Sequence, residues 1–139
     1  MKPCLLDACV WLAARNSFER DHHAARALVE RAEKRPFAAL DLTLYEVANI
    51  AVRSWRSTES ARRLTKLVRG ACAGNIVRVD DQMIERAIQL AETHELTAYD
   101  AAYVAAAELY DWTLVSGDYA DLVTPGLALS PDAALAVAE

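Results

Sequence analysis

Short apolar segments alternate with longer helical patterns along this 139-residue chain, and that alternation limits the folds it can adopt. We predict strands at residues 4–6, 37–40, 76–79 and 113–115, with a weaker fifth at 127–129. The chain contains 28 Ala residues, which favour helix in the segments between these strands. Strands that alternate with helices indicate an α/β domain with a mostly parallel sheet, and the length suits one domain over residues 1–139.

Hydroxyl and acidic residues mark the predicted helix starts. Thr43 and Thr97 each precede an acid by three residues, as in a capping box, so we expect helices of about 12 residues to begin there. Either Asp80 or Asp81 can cap the helix that follows the third strand. An amphipathic pattern predicts a further helix over residues 20–32.

Cysteine usage and hydropathy exclude several classes of protein. Cys4, Cys9 and Cys72 are odd in number and form no CxxC pair, which argues against a disulfide framework and against a zinc ribbon. The three His residues show no zinc-binding spacing, so a bound metal would have oxygen ligands. No stretch approaches the roughly 20 apolar residues of a membrane span, and the N-terminus lacks a signal-peptide core. We therefore expect a cytoplasmic protein without membrane contact.

Charge is divided unevenly along the chain. Residues 1–86 carry 15 basic and 11 acidic side chains, whereas residues 87–139 carry nine acidic side chains and no Lys or Arg. A polyanionic substrate would therefore need both the basic segment and a cation among the acids. The alternative is that these charges simply lie on the solvated faces of separate helices.

Acidic residues follow the predicted strands at the points where parallel strands end. Asp7 directly follows the first strand, and Asp118 follows the fourth. Glu46 and Asp100 fall in the first turns of helices that begin at the same edge of the sheet. Asp121, three residues after Asp118, can reach the same region if the intervening residues turn tightly. The sequence therefore predicts a cluster of carboxylates at one edge.

Like charges gathered at one edge call for a compensating cation, because neighbouring carboxylates oppose one another's ionisation. An incomplete shell of oxygen ligands is typical of Mg²⁺ or Mn²⁺ in phosphoryl-transfer enzymes. Glu46 and Asp100 also have a structural interpretation as helix-capping acids, and Asp118 has one as a turn residue. Asp7 is harder to explain structurally, because an unpaired carboxylate at the end of an apolar strand is costly and no Lys or Arg lies nearby in sequence.

These motifs resemble those of the PIN-domain nucleases, in particular the VapC-type toxins of bacterial and archaeal toxin–antitoxin pairs. The resemblance spans essentially the whole chain. In order, the four motifs are LLDACVWL from Leu5, EVAN from Glu46, YDAAY from Tyr99 and LVSGDYAD from Leu114. Cys9 departs from the family pattern, which often has Ser or Thr there, so we expect different hydrogen bonding around the acidic site.

The resemblance implies a three-layer α/β/α PIN-like fold with a mostly parallel sheet of four or five strands. It also implies a metal-dependent endoribonuclease that hydrolyses RNA phosphodiester bonds with metal-activated water, using Mg²⁺ or Mn²⁺. The implied catalytic acids and metal ligands are Asp7, Glu46, Asp100 and Asp118, with Asp121 in support of a second ion. Ser116 would orient Asp118 or a metal-bound water, and Asn49 would support the site.

The most basic stretch of the chain supplies candidate contacts to RNA, opposed only by Glu59. The candidates are Arg53, Arg56, Arg62, Arg63, Lys66 and Arg69. Trp55 could stack on a base in the same stretch. The alternative is a solvated helix face with Trp55 partly buried.

The resemblance further implies a homodimer and inhibition by a VapB-type antitoxin. The acidic C-terminal segment, with a net charge of −9 over residues 87–139, would attract a basic peptide of such a partner. Trp11 and Tyr110 are candidates for an exposed dimer surface. Two alternatives are an RNA-processing nuclease of the same fold and a catalytically silent interaction domain.

Overall fold

Four parallel strands form the centre of the computed structural model, which describes residues 2–137. The strands are β1 (Cys4–Leu6), β2 (Phe37–Leu40), β3 (Ile76–Val77) and β4 (Thr113–Val115). Their order in the sheet is β3–β2–β1–β4, so the first strand of the chain is central. In register, Leu5 of β1 lies opposite Ala38 and Leu114. The predicted parallel α/β sheet is confirmed, with four strands.

Helices cover both faces of the sheet and complete a three-layer α/β/α arrangement. They are α1 (Ala8–Ala13), α2 (His22–Val29), α3 (Asp41–Arg53), α4 (Thr58–Ala71), α5 (Asp81–His94), α6 (Ala98–Tyr110) and α7 (Pro131–Val137). A short π-helical turn, Tyr119–Val123, follows β4. Between residues 2 and 137, no helix combines the length and the hydropathy needed to cross a bilayer.

Alternate side chains of the strands enter two apolar cores on opposite faces of the sheet. Cys4 and Leu6 join the core that contains helices α1 to α4 and α7, whereas Leu5 joins the core formed with α5 and α6. Trp11 is fully buried in the first core, and its ring meets Phe37 edge-on with centroids 6.2 Å apart. The expectation that Trp11 is exposed is therefore wrong, because α1 turns this side chain toward the sheet. By contrast, Tyr110 is 44% exposed.

Helix α3 begins earlier than the capping pattern predicts. Its first residue is Asp41, which directly follows the last residue of β2, so no residue connects the strand to the helix. Thr43 lies in the first turn, and its hydroxyl accepts the Leu40 amide at 3.3 Å. Thr43 is therefore not the N-cap, and Glu46 lies in the second turn rather than the first.

Three elements are shorter than predicted. The helix expected over residues 20–32 is confined to α2, because the amides of Arg31 and Ala32 beyond it donate to carbonyls three residues back. Strand β3 ends two residues earlier than expected. Segment 127–129 forms only an isolated bridge to β4, since its first two amides donate to the Leu122 carbonyl and close a turn.

Helices α5 and α6 are capped by residues that the sequence predicts as caps. The Asp80 carboxylate accepts the Met83 amide at 2.9 Å, which identifies Asp80 rather than Asp81 as the cap of α5. The Thr97 hydroxyl accepts the Asp100 amide at 3.1 Å and caps α6 as predicted. This cap fixes the first turn of α6, which carries one of the edge acids.

Replacing Asp80 with alanine is expected to lower the free energy of unfolding by about 1 kcal/mol, because the Met83 amide loses its partner. Asp81→Ala is the matched control, since this neighbouring acid only interacts with the helix dipole and its loss should cost about 0.5 kcal/mol or less. Urea denaturation followed by circular dichroism at pH 7 measures both values. Equal losses in the two variants would contradict the cap assignment.

Candidate metal centre

Asp7 is the buried member of the carboxylate cluster. It follows β1 directly, caps α1 by accepting the Val10 amide at 3.3 Å, and is only 5% exposed. Its own amide donates to the Val115 carbonyl of β4, which continues the sheet pairing by one residue. The carboxylate is thus fixed by the central strand and by the helix that follows.

Three further acids converge beside it. One carboxylate oxygen each from Asp100, Asp118 and Asp121 lie within 4.8 Å of one another. The Asp118 carboxylate accepts the Asp121 amide at 3.0 Å and so caps the π-helical turn, which brings the third acid to the cluster. The buried Ser116 hydroxyl accepts the Asp118 amide at 2.9 Å and fixes the start of this loop.

Glu46 reaches the same region from α3 and is held there by a tyrosine. The Tyr103 hydroxyl donates to Glu46 Oε1 at 2.6 Å, and its oxygen lies 2.7 Å from the Thr43 hydroxyl. Because Tyr103 donates to the acid, Thr43 donates to Tyr103 and accepts the Leu40 amide. This buried chain leaves the other Glu46 oxygen free to interact in the pocket.

Sequence reasoning did not assign a role to Tyr103 or to Thr43 in this site. Tyr103 lies three residues after Asp100 on α6, so the two side chains share a helix face. That spacing was the available signal for Tyr103. The link from Thr43 to Tyr103 joins residues 60 positions apart and had no local signal.

Cys9 takes part in the support of the acids. Its thiol donates to Asp7 Oδ1 at 2.7 Å and accepts the Gly117 amide at 3.2 Å. Burial and the charge of Asp7 raise the pKa of the Cys9 thiol, so it stays protonated and remains a donor. The Cys9 thiol therefore links the segment that carries Asp7 to the loop that carries Asp118. This link is the difference in hydrogen bonding that we expected from a Cys at this position.

The acids face a shared open pocket of about 350 Å³. Its lining includes four predicted site residues, Asp7, Glu46, Asp100 and Asp118. Asn49 is exposed and does not line this pocket; it faces an adjoining one together with Glu46 and Tyr99. The apolar side chains of Leu12 and Ile50 form part of the wall.

Burial and mutual repulsion disfavour ionisation in this cluster. Burial raises the pKa of Asp7 to about 6, although hydrogen bonds from Cys9 and Ser116 oppose this rise. Burial, followed by the charge of Asp118, raises the pKa of Asp100 to about 6. Burial also raises the pKa of Glu46, and the hydrogen bond from Tyr103 opposes that shift. A divalent cation would relieve this repulsion, and the all-oxygen donor set fits Mg²⁺ or Mn²⁺.

The six basic candidates lie elsewhere on the surface. Arg53 and Arg56 are near the α3–α4 connection and the other four are on α4, all of them exposed and none of them lining the acidic pocket. Arg63 pairs with Glu59 at 2.6 Å, and Trp55 is partly buried against the first core. Arg63 and Lys66 instead line a groove that they share with Arg15.

The family model that describes the PIN domain matches residues 4–121. This chain belongs to the PIN-domain family. The match contains Asp7, Glu46, Asp100, Asp118 and Asp121, and it confirms the family to which the four motifs point. Comparison with curated protein sequences finds no match.

Solved structures share the fold over nearly the whole chain. A toxin–antitoxin complex from Klebsiella pneumoniae has a TM-score of 0.67 and 21% identity over 92% of this chain and 97% of that one. PAE2754 from Pyrobaculum aerophilum has a TM-score of 0.73 and 23% identity over 99% of this chain and 89% of that one. VapC20 from Mycobacterium tuberculosis, a sarcin–ricin loop cleaving toxin, has a TM-score of 0.65 and 16% identity over 88% and 95%. At these identities the likeness shows the common fold.

Asp7→Asn is expected to stabilise the metal-free protein at pH 7. The pKa of Asp7 is raised in the folded state. The contribution of its protonated carboxyl group to stability is therefore complete below the ordinary pKa of 3.8 and is lost as the pH rises through about 6. Asn removes this loss, which is on the order of 3 kcal/mol, and its amide oxygen can still accept from Cys9 and Val10.

Urea denaturation in EDTA at pH 4 and pH 7 tests this expectation. The variant should gain stability over the parent at pH 7 and little at pH 4. A variant that is less stable than the parent at both values would show that the Asp7 charge stabilises the fold.

Proposed function

We propose that this chain is a metal-dependent endoribonuclease that hydrolyses RNA phosphodiester bonds and acts as the toxin of a toxin–antitoxin pair. The observation that carries the proposal is the convergence of Asp100, Asp118 and Asp121 within 4.8 Å, beside the buried Asp7, in a PIN domain. Carboxylates that raise one another's pKa are costly to the fold and suited to a divalent cation.

The side chains of the pocket divide between binding the cation and positioning the acids. Asp7, Asp100 and Asp118 would hold a Mg²⁺ or Mn²⁺ ion, with Asp121 available to a second. Such an ion supplies Lewis acidity, which activates water and stabilises the oxygens of an in-line displacement at phosphorus. Glu46 would complete the site, directly or through water, with its orientation fixed by Tyr103.

Positioning falls to the neutral groups around the acids. The Cys9 thiol and the Val10 amide orient Asp7, and the Ser116 hydroxyl and the Asp121 amide orient the Asp118 loop. Each of these groups donates to a carboxylate or fixes the backbone beside it. Among the residues that the structure describes, no Lys or Arg lines the pocket, so the acids keep their geometry through these neutral groups, and a basic side chain there would compete with the cation.

The similar structures favour RNA as substrate and an antitoxin as partner. VapC20 is described as a sarcin–ricin loop cleaving toxin, and the Klebsiella structure is a toxin–antitoxin complex. A VapB-type antitoxin would approach the acidic C-terminal part of the chain with a basic segment. We propose a cytoplasmic homodimer of single domains over residues 1–139, with the six basic side chains around α4 as RNA contacts.

Cleavage of RNA is the direct test. The purified protein with Mn²⁺ or Mg²⁺ is expected to cut structured RNA, including tRNA, and to leave 5′-phosphate ends. EDTA and Asp100→Asn should each lower the rate at least about 100-fold, because several kcal/mol of charge stabilisation in the transition state is lost. The control Asp81→Asn, on an exposed acid outside the cluster, should stay within about twofold of the parent.

Cleavage that persists in EDTA would rule out the metal mechanism. Absence of cleavage by folded, metal-loaded and partner-free protein would favour either a narrowly specific nuclease or the catalytically silent interaction domain.

The toxin role is tested by expression in bacteria. Expression of the parent chain is expected to halt growth, whereas Asp100→Asn should leave the growth rate within about 10% of an empty-vector control, since it lacks a ligand for the cation. Co-expression of a cognate antitoxin should restore growth. Normal growth in cells whose extracts show the nuclease activity would indicate an RNA-processing role instead.

A further inference from the structure

Phe18 is an apolar side chain that contributes nothing to either core. It is 97% exposed, more than any other large apolar side chain described for residues 2–137. It lies in the loop of residues 14–21, which joins α1 to α2. The other residues of this loop near it are polar or charged, so the ring is isolated and is not part of an apolar patch of the kind that binds proteins.

The loop that carries Phe18 has a defined backbone. The Phe18 amide donates to Asn16 Oδ1 at 3.1 Å, and the Glu19 amide donates to the Asn16 carbonyl at 3.1 Å. At the far end, a ring nitrogen of His22 lies 2.7 Å from the Ala13 carbonyl. The exposed ring is therefore presented by an ordered turn, which reduces the entropy lost when a ligand binds.

Arg20, two residues after Phe18, lies over an aromatic ring. Its guanidinium carbon lies 3.9 Å from the centroid of the Tyr119 ring. Arg20 is exposed and forms no ion pair with the residues that the structure describes. A stacked guanidinium keeps its N–H groups free in the plane, where they can bind a phosphate.

The same tyrosine connects this loop to the carboxylate cluster. Tyr119 follows Asp118 directly, and its hydroxyl donates to the buried Asp21 carboxylate at 2.7 Å. The other oxygen of Asp21 lies 3.3 Å from the position that a Cβ on Gly117 would occupy. Residues 20–21 and 117–119 thus pack closely, so the loop that carries Arg20 adjoins the segment that carries Asp118.

We infer that the 14–21 loop is a substrate-binding element, in which Arg20 binds a phosphate near the scissile bond and Phe18 stacks on an unpaired base. The inference rests on the proposed nuclease function and names its substrate as RNA that is single-stranded beside the cleavage site. A cation at the edge of the acids offsets their repulsion of the phosphate backbone, whereas an uncharged base can stack there without opposition.

Binding to a fluorescein-labelled single-stranded oligoribonucleotide of mixed sequence tests the inference. All variants are built on Asp100→Asn, which prevents turnover. Phe18→Ala is expected to weaken binding about 5- to 100-fold, and Phe18→Trp should restore it. Arg20→Gln should reduce the slope of log affinity against log salt by about 0.7. The Phe18→Ala effect should disappear when the same strand is presented as a duplex.

Matched controls come from outside this loop and the carboxylate cluster. Ile88→Ala shortens an exposed apolar side chain of α5, and Lys34→Gln removes an exposed cation, so neither should alter binding. In the active chain, Phe18→Ala should raise KM and leave kcat within about twofold, because the loop does not touch the reacting atoms.

Three results would overturn the inference. Unchanged RNA affinity in Phe18→Ala and Arg20→Gln, with a parent that binds and cleaves RNA, would remove the loop's role and leave the nuclease intact. A parent dimer that becomes monomeric in Phe18→Ala, with RNA affinity unchanged, would show that the ring serves a second copy of this chain. A metal-loaded parent that neither binds nor cleaves RNA would refute the nuclease function as well.

Discussion

The burial and mutual repulsion of carboxylates at one edge of the sheet are the constraint on which the rest of this structure depends. Asp7 is buried at the end of the central strand, and the pKa of both Asp7 and Asp100 is raised to about 6. Among the residues that the structure describes, the donors to these acids are neutral groups and not basic side chains: a thiol, a phenol, the Ser116 hydroxyl and backbone amides. The cluster is thereby held in place without being neutralised, which keeps it available to a cation.

Helix α6 shows how the fold meets this constraint. It contributes Asp100 to the cluster and, one turn later, Tyr103, which holds Glu46. Its buried face consists largely of Ala, so its backbone packs close to the sheet. The close packing of the α6 backbone against the sheet therefore sets the position of the Asp100 carboxylate. A larger residue on this face would displace both functional groups together.

The parts of the structure set by local sequence could be predicted. Apolar strands that end in an acid, and the Thr97 cap, depend on near neighbours, so β1, β4 and the start of α6 follow the motifs. The role of Thr43 could not be predicted, because its hydroxyl is used by Tyr103 on another helix. The turn closed on Leu122 likewise replaces the expected fifth strand through contacts that no periodicity encodes. The convergence of the acids at one edge could be predicted because their positions relative to strand ends are local, whereas their hydrogen-bonding partners are tertiary.

The burial of Asp7 also bears on the history of this sequence. An acid that weakens the metal-free fold is removed by any drift that maintains folding alone, since many substitutions at that position would stabilise the chain. The retention of Asp7, together with the thiol and amide donors around it, is therefore not explained by the stability of the metal-free fold alone.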